Sequence, residues 1–99
     1  MTARQELTRE EFTLVDSEGR RVGVILDGIT FHLEWDEDNG WEPMAATWCV
    51  VRDRRFWDVW GASCHDDDNA TWNLLMSSWA AAKLDDVACQ IEAPTNEVA

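Results

Sequence analysis

The sequence predicts an α+β domain in which an antiparallel meander of about five strands is packed by one C-terminal amphipathic helix. Three observations predict it. Apolar residues recur with a period of two from Phe12 to Ser63, broken by turn residues. The period lengthens to helical spacing after Asn69. Hydrophobic residues make up 45% of the chain and include seven Trp, enough for a packed core without staples. Ninety-nine residues is a single-domain length, so 1–99 reads as one unit. Its ordered core is expected over 12–93, with tails at 1–7 and 95–99.

The elements follow in order. Residues 1–11 are polar, and Thr8-Arg9-Glu10-Glu11 has the form of a capping box, so they read as a frayed terminus or one short helix. Phe12–Val15 is a strand, Asp16–Gly19 a turn, and Arg20–Leu26 the returning strand. Asp27-Gly28 is a hairpin signal leading into a strand over Ile29–Trp35. In that strand Ile29, Phe31, Leu33 and Trp35 share one face, and Thr30, His32 and Glu34 the other. Residues 36–43 form a loop that includes Trp41. Strands follow at 45–52 and 56–63. A single helix is expected from about residue 70 to about residue 90, with Trp72, Leu75, Met76 and Trp79 inward. Trp35, Trp48, Trp60, Trp72 and Trp79 are assigned to the core; Trp41 and Trp57 are the candidates for exposed anchors of a partner, with burial against the N-terminal segment as the alternative.

Charge narrows the function. Twenty acids against eight bases give a net charge of −12. That disfavours direct contact with DNA, RNA or an anionic membrane, because such affinity rests on Lys and Arg. It favours a basic partner. The acids are unevenly spread: six lie between Val22 and Val51, and four between Phe56 and Ala82, with no Lys or Arg in either stretch. The residues assigned to partner binding are Glu34, Asp36, Glu37, Asp38, Trp41, Glu42, Asp58, Asp66, Asp67 and Asp68.

No pattern carries chemistry. Cys49, Cys64 and Cys89 are too widely spaced for a structural zinc site and read as small buried hydrophobes. His65-Asp66-Asp67-Asp68 lacks the register of a calcium loop. Cys64 and His65 are adjacent, and neighbours on a strand point to opposite faces, which separates a nucleophile from its base. No metal, cofactor or enzymatic activity is expected. An N-terminal segment without an apolar stretch, an odd number of cysteines and no apolar run near the roughly 20 residues of a membrane span point to a cytoplasmic protein with reduced thiols.

In length, in net charge, in the runs Asp36-Glu37-Asp38 and Asp66-Asp67-Asp68, and in lacking catalytic motifs, the chain resembles the small acidic phage-encoded inhibitors of bacterial defence, the anti-CRISPR type among them. The resemblance is one of size and acidity and carries no family motif. It implies a DNA-mimicking inhibitor in a bacterial host cell, whose acids contact Lys and Arg of a CRISPR effector subunit. Three other readings stand beside it. The chain could be an immunity or antitoxin protein that plugs a basic toxin nuclease. It could bind a small molecule between sheet and helix near Cys64 and His65. It could form a homodimer through Trp57.

Overall fold

The computed structural model describes residues 3–53 and 56–94, with backbone alone at 51–53, 56 and 57. The chain is α+β. Over the described residues six strands run in the order β1 (Arg4–Arg9), β2 (Phe12–Val15), β3 (Arg21–Ile25), β4 (Ile29–Asp36), β5 (Gly40–Asp53) and β6 (Phe56–Ser63). Two helices follow, α1 (Ala70–Ala81) and α2 (Leu84–Cys89). The strands form a four-stranded sheet ordered β1-β4-β5-β6 and a separate two-stranded sheet of β2 and β3. All these pairings are antiparallel.

β4 is built as its alternation predicts. Ile29, Phe31 and Leu33 are almost wholly buried, and Thr30, His32 and Glu34 face the other way. Phe31 joins all three layers. Its ring meets Phe12 of β2 edge-on at 5.3 Å and Trp79 of α1 edge-on at 4.9 Å. Burying each such side chain contributes on the order of 1.5–3 kcal/mol, so this row ties small sheet, large sheet and helix together. The turn before β3 also forms as expected. The Gly19 amide donates to the Asp16 carbonyl at 2.9 Å, and Gly19 takes the positive φ of 82° that the turn needs.

Several expectations are corrected. The N-terminal segment is a strand, not a short helix: Arg4–Arg9 pairs along most of β4. Its one fully inward side chain is Leu7, and the pairing satisfies the edge of β4, a long-range gain that local pattern does not show. The single meander is replaced by two sheets. Asp27-Gly28 does not close a hairpin, because β3 pairs with β2 while β4 pairs with β1 and β5. With φ of 99° at Gly28, this dipeptide turns the corner between the sheets.

The loop 36–43 is much shorter than expected. β5 already starts at Gly40 and carries Trp41, Glu42 and Pro43 in register with Trp35, Glu34 and Leu33. Pro43 is tolerated because β6 ends at Ser63, opposite Ala45, so among the described residues one side of β5 has no strand beside it there. The C-terminal helix is two helices. Lys83 adopts a left-handed conformation (φ 55°, ψ 40°) and breaks the run.

One buried hydroxyl fastens the small sheet to α1. Ser78 Oγ accepts from the Val15 amide at 2.9 Å, and its proton is shared between the carbonyls of Leu74 at 2.7 Å and Val15 at 3.2 Å. Ser78 therefore stands in for a neighbouring strand at the end of β2.

β5 and β6 run on past Ile29, the first residue of β4, which pairs with Trp48. The longest extent of the molecule is 49 Å. Trp60, in register with Trp48 at this end, is 51% exposed and not a core residue, because β4 stops there. Trp72 and Trp79 are buried, and Trp35 and Trp48 pack half-buried against the core. The cysteines are not the buried hydrophobes expected: Cys49 and Cys64 are half-buried and Cys89 is exposed. Among the described residues, no helix is long and apolar enough to cross a membrane.

Candidate functional site

β4 ends, β5 begins and β6 ends on the same side of the large sheet. The turn after β4 and the loop after β6 therefore leave the sheet at one end. The first holds Asp36, Glu37 and Asp38, and the second holds Asp66, Asp67 and Asp68. The stretch of β5 from Gly40 to Ala45 separates their levels along the sheet, a span of roughly 17 Å at strand rise.

Each acid has its own surroundings. Asp36 shapes its turn: Oδ1 accepts from the amides of Asp38 at 2.8 Å and Asn39 at 3.2 Å. This leaves Glu37 and Asp38 exposed at the tip. Asp66 Oδ2 accepts from the Ser63 amide at 2.8 Å, and Asp68 Oδ1 from the Ala70 amide at 3.0 Å, ahead of α1. Glu34 and Glu42 are direct partners across β4 and β5, with Arg4 opposite Glu34 on the other side. Like charges held opposite one another oppose sheet pairing, so the pair costs stability. Asp58 does not join the group. It sits on β6 opposite Val50, five residues back from Ser63, toward the other end of the sheet.

Trp41 is not an exposed anchor. Only 9% of it is accessible, and it meets Trp35 edge-on at 5.3 Å. Its indole N–H donates to the Glu92 carbonyl at 3.1 Å. The side chain of Trp57 lies outside the described residues.

The sequence reading missed α2. Asp85 and Asp86 are exposed in its first turn. Asp85 Oδ1 accepts the Trp79 indole proton at 2.7 Å, which folds α2 back toward β5. A groove of about 850 Å³ lies between α2 and the start of β5, lined by Trp35, Trp41, Met76, Trp79, Asp85 and Cys89 among others. It brings Asp85 to the same end as the 36–38 turn. The adjacent pair Asp85-Asp86 was visible in the sequence, but a continuous helix gave it no reason to approach Trp41. Cys64 and His65, expected to line a small-molecule pocket, do not line this groove.

The bases are distributed differently. Arg9 pairs with Ile29 and Arg52 precedes the end of β5, both at the opposite end of the sheet. Arg54 and Arg55 lie outside the described residues. Arg20 is held by Asp16 at 2.9 Å and by Glu18 at 2.8 Å. Arg4, opposite Glu34, is the base that the strand register places at the acidic end among the described residues.

On the outer face His32 lies between Thr47 (Nε2 to Oγ1, 3.2 Å) and Glu6 (Nδ1 to Oε1, 3.8 Å). The order is that of a carboxylate–imidazole–hydroxyl relay. The 3.8 Å separation is beyond hydrogen bonding, and water competes for all three groups on this exposed face. Among the described residues no group of three or more His, Cys, Asp or Glu is placed to hold a metal ion. Comparison with protein-family models, curated proteins and solved structures found no match to this chain.

Proposed function

We propose that this chain is a non-catalytic acidic inhibitor that binds a basic nucleic-acid-binding protein and blocks its DNA or RNA site. The observation that carries the reading is that two acidic loops leave the large sheet at the same end. Asp85 and Asp86 of α2 add to the same field. DNA presents roughly one negative charge per 1.7 Å of its axis. An end studded with carboxylates on a rigid sheet competes for the same Lys and Arg side chains. The resemblance in size and acidity makes a CRISPR effector subunit the first partner to test. A toxin nuclease offers the same chemistry.

The partner surface consists of Glu34, Asp36, Glu37, Asp38, Glu42, Asp66, Asp67 and Asp68, extended by Asp85 and Asp86. The decisive experiment combines D36N, E37Q and D38N. The amide side chain introduced by D36N keeps an acceptor for the two backbone amides that shape the turn, so only charge is lost. Capture of purified effector complex, and displacement of its target DNA, should weaken at least about tenfold, with a shallower dependence on salt. Undiminished capture removes this turn from the interface. Failure of the unmodified chain to displace nucleic acid from any basic partner overturns the reading.

A further inference from the structure

The groove between α2 and the start of β5 has an aromatic wall. Trp35 and Trp41 line it as cross-strand partners, their rings 5.3 Å apart and inclined at 71°, so the two indoles form a corner. Met76 and Ile91 extend the apolar lining. Two of the indole N–H groups around it are already engaged: Trp41 donates to the Glu92 carbonyl at 3.1 Å, and Trp79 to Asp85 Oδ1 at 2.7 Å. Asp85 Oδ2 is left without a partner among the described residues, on an exposed side chain that also lines the groove. Glu42 lies beside the groove, but strand alternation turns its side chain with Glu34 to the other face of the sheet. No Lys, Arg or His lines the groove among the described residues.

We propose that this groove takes an arginine side chain of the basic partner, laid along the Trp35–Trp41 corner with its guanidinium against Asp85. The proposal rests on the inhibitor reading for its partner, and adds the residue type that the partner supplies. An aromatic corner beside one carboxylate suits a flat cation better than a compact one. A guanidinium is planar, weakly hydrated and stacks on indole, and its apolar stem covers ring carbon. A lysine ammonium gives up a tighter water shell for the same contact.

The shape and place of the groove select a side chain over a free ligand. The groove, of about 850 Å³, lies open to solvent, so a small cation alone would keep one side wet. A side chain carried on a protein surface brings its own cover. The groove also continues from the 36–38 turn. Asn39, whose amide is held by Asp36 at 3.2 Å, and Gly40 both line it. A partner seated on the acidic turn therefore has the groove within reach. The ring corner supplies what exposed acids lack, a contact that salt does not screen away.

The test is a titration of the full chain with N-acetyl-arginine methylamide at physiological salt, followed through the indole N–H signals by NMR. The Trp35 and Trp41 signals should shift together and saturate, with a dissociation constant of about 1–10 mM. The citrulline analogue, which has the same shape and no charge, should bind at least about fivefold more weakly. D85N keeps an oxygen for the Trp79 indole and removes the charge, and it should weaken arginine binding at least about threefold. W35L removes the ring, whereas W35F keeps an aromatic face. W35L should lose the probe and W35F retain most of it, with the Trp41 signal reporting in both that the groove is folded. The same order should hold for capture of the basic partner. Shifts that never saturate, or arginine and citrulline bound alike, overturn the proposal. So does equal binding by W35L and W35F. Probe binding combined with capture that W35L leaves intact would give the groove to a free organic cation, and overturns the partner's arginine as its occupant. Displacement of nucleic acid is read separately: failure of the probe counts against the groove and not against the 36–38 turn, and failure to displace nucleic acid counts against the inhibitor reading and not against binding of the probe.

Discussion

Trp79 donates its indole proton to Asp85 across the break between α1 and α2, at 2.7 Å. The bond does two things at once. It satisfies a polar group on a ring that is 3% exposed, and it fixes the direction in which α2 leaves α1. D85A should therefore cost about 1–3 kcal/mol, the penalty for stranding a buried donor. D85N, which keeps a carbonyl oxygen for the indole, should lose less than half of that. Urea unfolding of the two variants beside the parent chain separates loss of charge from loss of acceptor. Equal losses would mean that the carboxylate charge is what matters.

Ser78 makes a similar substitution of side chain for backbone. Its hydroxyl serves the Val15 amide and the Val15 and Leu74 carbonyls. S78A should lower global stability by about 1–2 kcal/mol. It should also raise hydrogen exchange at Val15 and its neighbours in β2 and β3 well before the amides of β4 respond. Uniform exchange over both sheets would show that the small sheet opens only with the whole domain.

Lys83 holds a left-handed backbone that favours glycine. K83G should relieve about 0.5–1 kcal/mol of that cost, after allowing for the greater freedom glycine has in the unfolded chain. For a domain of this size each kcal/mol moves Tm by about 4–8 °C, so a rise of several degrees is expected. A lower Tm would show that the lysine side chain contributes more than its backbone costs.

Asp16 is held below the usual carboxylate value of 3.8, first by the Arg20 amide and, more weakly, by the Arg20 guanidinium and the Glu18 and Gly19 amides, against an opposing effect of burial. A carboxyl depressed in the folded state stabilises above its unfolded pKa. That contribution fades as pH falls through the folded value. D16N keeps acceptors for the amides and removes the titration. Its Tm should decline less steeply than the parent's as pH falls from about 5 through the carboxylate range. Parallel curves would remove Asp16 from the acid limb.

How much of this was legible in the sequence depends on range. β4 could be read because Ile29, Phe31 and Leu33 alternate against polar neighbours. The 16–19 turn could be read because Asp and Gly sit where its geometry needs them. β1 could not be read, since Leu7 alone faces inward and its pairing partner lies more than twenty residues away. The helix break was invisible in Ala80-Ala81-Ala82-Lys83-Leu84, which contains neither Gly nor Pro; the bonds that accompany it, Trp79 to Asp85 across the break and Trp41 to the Glu92 carbonyl beyond α2, depend on the fold. Trp41 was misread because Pro43 suggests a loop. In the fold Pro43 lies where β5 has lost one neighbour. For the candidate site, the two acidic loops were legible as runs of charge, but only the strand order says that they share an end. Asp58 looked equivalent to them in sequence and is separated by its register.

The crowding of acids at one end of the large sheet also bears on how the molecule behaves before it touches anything. Charge spread unevenly along the sheet gives the molecule a dipole as well as a net negative charge. A field from a cationic surface then exerts a torque as well as a pull, turning the 36–38 end forward while the two bodies are still a Debye length apart, about 8 Å at physiological ionic strength. With the basic partner proposed above, encounters that begin in the wrong orientation would correct themselves in flight, raising the share of productive collisions.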